Sequence, residues 1–300
     1  MSTNSPLATA DFIARQRPVR RKPARTTGGR IGLHLVLVMY CLTSAAAFAW
    51  TVMVSLKTNP EFFSTSPWQP PSEPQFSNFA DAWNGAKIGQ FFVNSFYVTA
   101  VSVTVSLIIA AMAAYVLATI SFRGRELTRL VFLFGLMMPP FLVIIPLYAL
   151  LGNLGLLGSL NGLILVYIAI QIPFSVYLLT SFFSSLPMEL EEAAALDGAS
   201  SFRTFFSVVV PQMVPALASV ALLNTLTIWN EFFFALVLLS DPSAWTIPVG
   251  ILGLSVNATY SAMWVQLFAG LVITMIPMLI LFSILQERIA KGVAIGGIKG

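Results

Sequence analysis

Glu189, Glu191, Glu192 and Asp197 stand within nine residues of one another, four of the twelve acids in a 300-residue chain. Carboxylates so placed make this stretch of the chain locally negative. They lack the company that catalysis needs. The single cysteine, Cys41, excludes an intrachain disulfide framework and a cysteine-built zinc cluster. A Ser-His-Asp triad would have to use the single histidine, His34. That residue follows Arg30 at the start of an apolar run and suits a membrane interface better. No G-x-x-x-x-G-K-[ST] phosphate cradle occurs; the stretch from Gly292 to Lys299 comes near in spacing and fails on order. One acid, Glu231, lies inside an apolar run, in Trp229-Asn230-Glu231-Phe232. An intramembrane acid is a functional candidate by default. An interfacial acid in water, or one bonded to a neighbouring helix, is an equally weighted reading.

The elements that must position these residues are membrane helices. The chain is 57% hydrophobic and 9% charged, whereas soluble domains carry about 25% charged residues. That excludes a water-soluble enzyme and a disordered chain. Crossing a bilayer takes about 20 mostly apolar residues, and six stretches qualify: Ile31–Leu56, Val93–Ile120, Leu130–Leu151, Leu160–Ser184, Met213–Ser240 and Met263–Leu285. The first is too long for a signal peptide and is read as an uncleaved span. Fourteen of the sixteen Lys and Arg fall on one side of this topology, leaving only Lys57 and Lys87 opposite. The positive-inside rule then places both termini in the cytoplasm. The basic N-terminal tail is a topological anchor beside lipid, not a nucleic-acid arm.

Prolines interrupt the third to sixth spans: Pro139, Pro140, Pro146, Pro173, Pro215 and Pro277. Each removes a backbone donor, and freed carbonyls at membrane depth need protein or a wet cavity beside them. A membrane crossing that begins near Leu217 puts Glu231 about 21 Å up its helix, at ~1.5 Å per residue. That depth is the outer third of the bilayer. A proton-driven carrier usually needs a relay of buried acids or histidines, and Glu231 has no second member. Energy is expected to enter from elsewhere.

The acidic run lies in the loop between the fourth and fifth spans. Pro187 suits a first helical position, the early glutamates suit the positive end of the helix dipole, and Gly198 suits the left-handed residue that stops it. A cytoplasmic helix of about eleven residues, ~16 Å long, is expected. Leu190, Ala193, Ala194 and Asp197 would share one stripe on it. A second short helix should follow, capped by Ser200 or Ser201, with Phe202, Phe205, Phe206 and Val209 as its apolar side. Pro211 would mark the turn into the fifth span. A docking surface for a cytoplasmic partner explains exposed phenylalanines better than a solvated connector does. On the outer side, Lys57 to Phe92 forms one longer loop with a short helix near Phe79–Trp83.

Glu192-Ala193-Ala194, then Gly198, then Val208-Val209-Val210-Pro211 resembles the EAA loop of permease subunits of binding-protein-dependent ATP-binding-cassette importers. The family usually has Ile and Leu where Val208 and Val210 stand. Further stretches are similar to the carbohydrate-uptake branch and its smaller maltose-type permease: Asn94-Ser95, Met138-Pro139, Pro146-Leu147-Tyr148, Pro173-Phe174, Trp229 to Phe232, Thr246 to Gly250, and Gly292 to Gly300.

The resemblance implies an all-α membrane protein with the six-helix type I importer fold. Residues 1–30 would be a basic tail, 31–290 the transmembrane domain with a coupling loop at 185–211, and 291–300 a C-terminal tail. It implies a second homologous permease, two cytoplasmic ATPase subunits that bind ATP and Mg, an external solute-binding protein, a prokaryotic plasma membrane, and no cofactor or catalysis in this chain. Glu189, Leu190, Glu191, Glu192, Ala193, Ala194, Asp197, Gly198, Phe202 and Arg203 would dock on an ATPase, with Glu192 paired to a basic residue there. Gly296, Gly297, Ile298, Lys299 and Gly300 would reach the ATPase interface. The outer segment Asp241–Ser261 would touch the binding protein. Asn94, Asn224, Asn230 and Glu231 are candidates to line the pathway, although interhelical hydrogen bonding is the favoured role for most polar residues in the spans. A permease for glycerol phosphate, a polyol or another small solute is the alternative within this class. A secondary carrier or channel ranks lower, and a membrane enzyme lacks the side chains for any chemistry.

Overall fold

A computed structural model describes residues 27–296, with side chains from 31 to 284. The chain divides into two units at Trp50 and Thr51. The described part of the first is helical and belongs to α1 (Thr27–Ser55), which runs on into the second. The second unit continues with α2 (Asn59–Ser64), α3 (Ser77–Ala80), α4 (Ile88–Thr119), α5 (Arg125–Met137), α6 (Pro140–Asn153), α7 (Leu160–Phe183) and α8 (Glu189–Leu196). It ends with α9 (Ser201–Thr204), α10 (Val210–Trp229), α11 (Phe233–Leu238), α12 (Ile247–Ser261) and α13 (Trp264–Gly296). No strand occurs among the described residues.

Five stretches are long and apolar enough to cross a membrane: α1, α4, α7, the run from Ser201 to Trp229, and α13 up to Ile284. The third span, expected at Leu130–Leu151 with its helix interrupted by Pro139, Pro140 and Pro146, breaks at the first two of these and carries Pro146 inside a helix. It is the pair α5 and α6, bent by 97°. Met138 and Pro139 between them are extended, with ψ of 122° and 125°. A residue before proline is driven out of the helical region, and two such positions in a row turn the chain. Pro140 then opens α6, where a missing N–H costs nothing.

The fifth span also departs from expectation at both ends. Pro211 does not turn the chain. Helix runs from Ser201 to Trp229, passing through a π turn at Phe205–Val209 in which Val210 N–H bonds back to Phe205. Proline lacks a donor and crowds the carbonyl four residues back; the wider turn accommodates both. At the outer end the helix stops at Trp229, short of the expected Ser240, and α11 begins separately.

The central pair is α4 against α7. Small residues on α4, Ala110, Ala111 and Ala114, are buried with Val176, Leu179 and Phe183 of α7. Small side chains let membrane helices approach closely where no hydrophobic effect drives them together. The same logic applies where α5 meets α7, since a Cβ at Gly135 would lie 3.1 Å from the Pro173 ring. A second cluster, in the outer half, joins Val98, Leu163, Tyr167 and Ile228 to Phe234 and Leu238 of α11.

Candidate functional site

The inner-face loop is built from two capped helices. Helix α8 spans eight residues, fewer than the eleven expected, because Pro187 and Met188 form the preceding turn. Its C-terminus is a Schellman motif: Gly198 has φ +75°, Gly198 N–H bonds to Ala195 O at 3.0 Å, and Ala199 N–H bonds to Ala194 O at 3.0 Å. Ser200 caps α9, its hydroxyl accepting from Arg203 N–H. The reversal between the two helices is therefore fixed by hydrogen bonds at both ends.

Helix α8 has an inner and an outer face. Ala194 is buried, Leu190 and Glu191 are half-buried, and Glu189, Glu192, Ala193, Leu196 and Asp197 are exposed. Tyr115, buried on α4, donates its hydroxyl to Glu191 Oε2 at 3.2 Å. The Tyr115 ring packs against Phe183 and Phe205, with centroids at 6.0 Å and 5.0 Å. The expected stripe of Leu190, Ala193, Ala194 and Asp197 is thus split. Ala194 and Glu191 turn toward the bundle, where a buried methyl and a side-chain bond hold α8 on that face. Phe205 and Val209 likewise face inward, whereas Phe202 and Phe206 stay exposed and touch at 4.6 Å. Leu196 is 89% exposed and Met188 73%. Beneath α8 lies a cleft of about 440 Å³ lined by Tyr115, Glu191, Glu192 and Thr204.

The arginines read as topological charges also do structural work. Arg125 Nε and Arg129 Nη2 donate to Leu117 O at 2.9 and 2.8 Å, and Arg125 Nη2 to Ala118 O at 2.9 Å. They cap the carbonyl end of α4 directly behind Tyr115, where cations suit the helix dipole.

The candidate pathway residues all make hydrogen bonds within the chain, although Asn224 Oδ1 is buried without a partner. Asn94 donates to Ser243 O and Trp245 O, both at 2.9 Å, and Ser95 Oγ accepts Ile247 N–H at 2.8 Å. These bonds stitch the outer turn at 241–247 onto α4. Asn224 is fully buried and donates to Ser175 Oγ of α7 at 2.8 Å. Asn230 is exposed and back-bonds to Leu226 O. Glu231 accepts from Tyr167 and from two backbone amides of α11. It does not ride on an unbroken helix, as the depth argument assumed, but sits at a break. Among the described residues no group of His, Cys, Asp or Glu could hold a metal. Of the C-terminal contact residues, Gly296 ends α13, while Gly297, Ile298, Lys299 and Gly300 lie outside the described residues.

Residues 106–295 match the model of the binding-protein-dependent transport system inner membrane component. The chain belongs to this family. Its diacetylchitobiose uptake system relative in Streptomyces coelicolor, the permease protein NgcG, is 39% identical over 263 residues, covering 88% of this chain and 87% of that one. The galactooligosaccharides transport system permease protein GanQ of Bacillus subtilis is 32% identical and covers 89% of this chain and 94% of its own. A crystal structure of a bacterial ABC transporter involved in alginate import has a chain that superposes with a TM-score of 0.73 at 22% identity, covering 96% of this permease and 99% of itself. The permease is thus a multi-pass plasma membrane protein with the importer permease fold.

Sequence reading missed Tyr115 and Tyr167. Their carboxylate partners lie 76 and 64 residues away, and a tyrosine within an apolar span carries no periodic signal that would distinguish it from ordinary packing.

Proposed function

We propose that this permease forms half of the translocation pathway of an ATP-driven carbohydrate importer. A second permease completes the pathway, two cytoplasmic ATPases hold ATP and Mg, and an external binding protein delivers an oligosaccharide or related sugar. Closure of the ATPases moves α8, and the bent spans reorient the cavity between them. The observation that carries this reading is the two-faced inner helix: Glu191 and Ala194 fasten it to the bundle, while Glu192, Leu196 and Phe202 present acid and apolar surface outward. A lever needs one face fixed to what it moves and another free for what moves it. Coupling between sites requires such an element biased from both ends. The sugar assignment is supported by what NgcG and GanQ are named for.

Affinity purification of the tagged chain from its native membrane tests the partners, and reconstitution of the purified assembly tests the activity. The expected result is recovery of an ATPase and a second permease, with sugar uptake that needs both ATP and the binding protein. Uptake by this chain in vesicles without an ATPase would overturn the reading in favour of a self-contained carrier.

A further inference from the structure

Glu231 lies at the joint between α10 and α11; its backbone N–H bonds back to Ile228 O of α10, but its carboxylate bonds only to groups beyond the break and on α7. Oε1 accepts Phe234 N–H at 2.9 Å, and Oε2 accepts Ala235 N–H at 3.2 Å. The carboxylate thereby occupies the positive end of α11 and satisfies amides that the break leaves without helical partners. Oε2 also accepts the hydroxyl of Tyr167, which is buried on α7. At the far end of α11, Leu238 O accepts Gly158 N–H at 3.0 Å, just before α7 begins. Between those two points Phe234, Ala235 and Leu238 are buried in one cluster with Leu163, Ile164 and Val166 of α7. The segment after the break is therefore fastened to the fourth span at both ends and along its length. Before the break, helix continues without interruption back to Ser201, at the inner-face loop. This run too meets α7, through the Asn224–Ser175 bond and a buried cluster that includes Val176, Leu179, Val209 and Val220, contacts that a pivot of the run has to release.

We infer that Glu231 is a positioning residue that clamps the outer segment of the fifth span to the fourth, making residues 230–232 the joint about which the inner part of the span pivots. This rests on the proposed coupling function. Displacement of the loop travels up the helical run from Ser201 to Trp229, and the clamp keeps α11 from following. Without the clamp the outer segment moves with the run, and the loop's displacement no longer changes the angle at the joint. Glu231 thus contributes geometry, not a sugar contact or a proton relay.

The test uses the assembled transporter in lipid, with Cys41→Ser removing the native thiol and paired spin labels replacing leucines exposed on this chain. Labels at Leu165 on α7 and Leu236 on α11 should keep one distance between nucleotide-free and ATP-trapped states. Labels at Leu223 on α10 and Leu236 should change theirs. Glu231→Ala should broaden the Leu165–Leu236 distance and lower sugar imported per ATP hydrolysed by about tenfold, within the usual range of coupling effects. Glu231→Gln, which keeps an acceptor for an α11 amide, should restore most of both. Tyr167→Phe should give an intermediate loss and serves if the alanine variant fails to assemble. Equal distance changes for the two label pairs, or an unchanged transport ratio in both Glu231→Ala and Tyr167→Phe, would overturn the clamp. A wild-type assembly that hydrolyses no ATP would instead sink the proposed function. The broadening of the Leu165–Leu236 distance needs no ATP and still decides the clamp.

Discussion

The hydroxyl of Tyr115 on the second span donates to Glu191 on the inner-face helix, 3.2 Å away. It is a direct side-chain bond from the loop's acidic run to a transmembrane helix. Removing it leaves α8 attached through Ala194 and the backbone. Tyr115→Phe keeps the ring contacts with Phe183 and Phe205, so assembly should persist. The bond is partly buried and worth about 1 kcal/mol by the usual measure. Sugar imported per ATP should fall by roughly threefold to tenfold in a reconstituted transport assay, since about 1.4 kcal/mol is tenfold.

Gly198 holds φ +75° at the end of α8. A β-branched residue there is strained by about 1–2 kcal/mol, so Gly198→Val should unwind the Schellman turn and reduce ATPase recovery on co-purification. Asparagine tolerates the left-handed region, and Gly198→Asn should retain near-normal recovery. Equal loss for both variants would point to a requirement for bare backbone at this position.

On the outer side, Gly250 of α12 faces the Phe91 ring of α4 so closely that an added Cβ would enter it. Overpacking of this kind costs about 1–3 kcal/mol. Gly250→Ala should lower the thermal transition of the purified assembly by several degrees. Gly152, where a Cβ meets nothing within 4 Å, is the control, and Gly152→Ala should leave the transition unchanged.

Much of this architecture is legible in composition and punctuation. The first, second, fourth and sixth spans lie close to their apolar runs, and Gly198 and Ser200 sit at the caps their types suggest. The third and fifth spans differ because proline's effect depends on its surroundings. Met138-Pro139 bends the third span by 97°, while Pro173 and Pro277 are carried inside continuous helices and Pro211 is absorbed by a π turn. Hydropathy cannot separate those outcomes. Nor can it reveal which face of α8 is fixed, because that depends on Tyr115, a residue read only as part of a span.

The outer loop carries a pH-dependent fastening. Ser72 N–H and the Ser72 hydroxyl both bond to Glu61 Oε1, at 2.7 and 2.9 Å, and Thr58 N–H reaches Oε2. The Ser72 amide, and after it the Ser72 hydroxyl, Thr58 amide and the Lys57 charge, hold the Glu61 carboxyl below its usual 4.5. A depressed carboxyl stabilises the fold above the unfolded value and loses that contribution as pH falls through the folded one. The protection factor of the Ser72 amide, measured against the intrinsic rate at each pH, should therefore stay high at neutral pH and fall only below about pH 4.5. In Glu61→Gln the protection should be weaker at neutral pH and independent of acidification.

The central claim is that α8 meets the ATPase with its outward face. A photo-crosslinking amino acid in place of Leu196, which is 89% exposed on that helix, tests it in one step. Irradiation of the intact assembly should join this chain to an ATPase subunit, and the same probe at Leu165 on the fourth span should not. Recovery of a normal assembly in which the Leu196 probe never reacts with the ATPase would contradict the account.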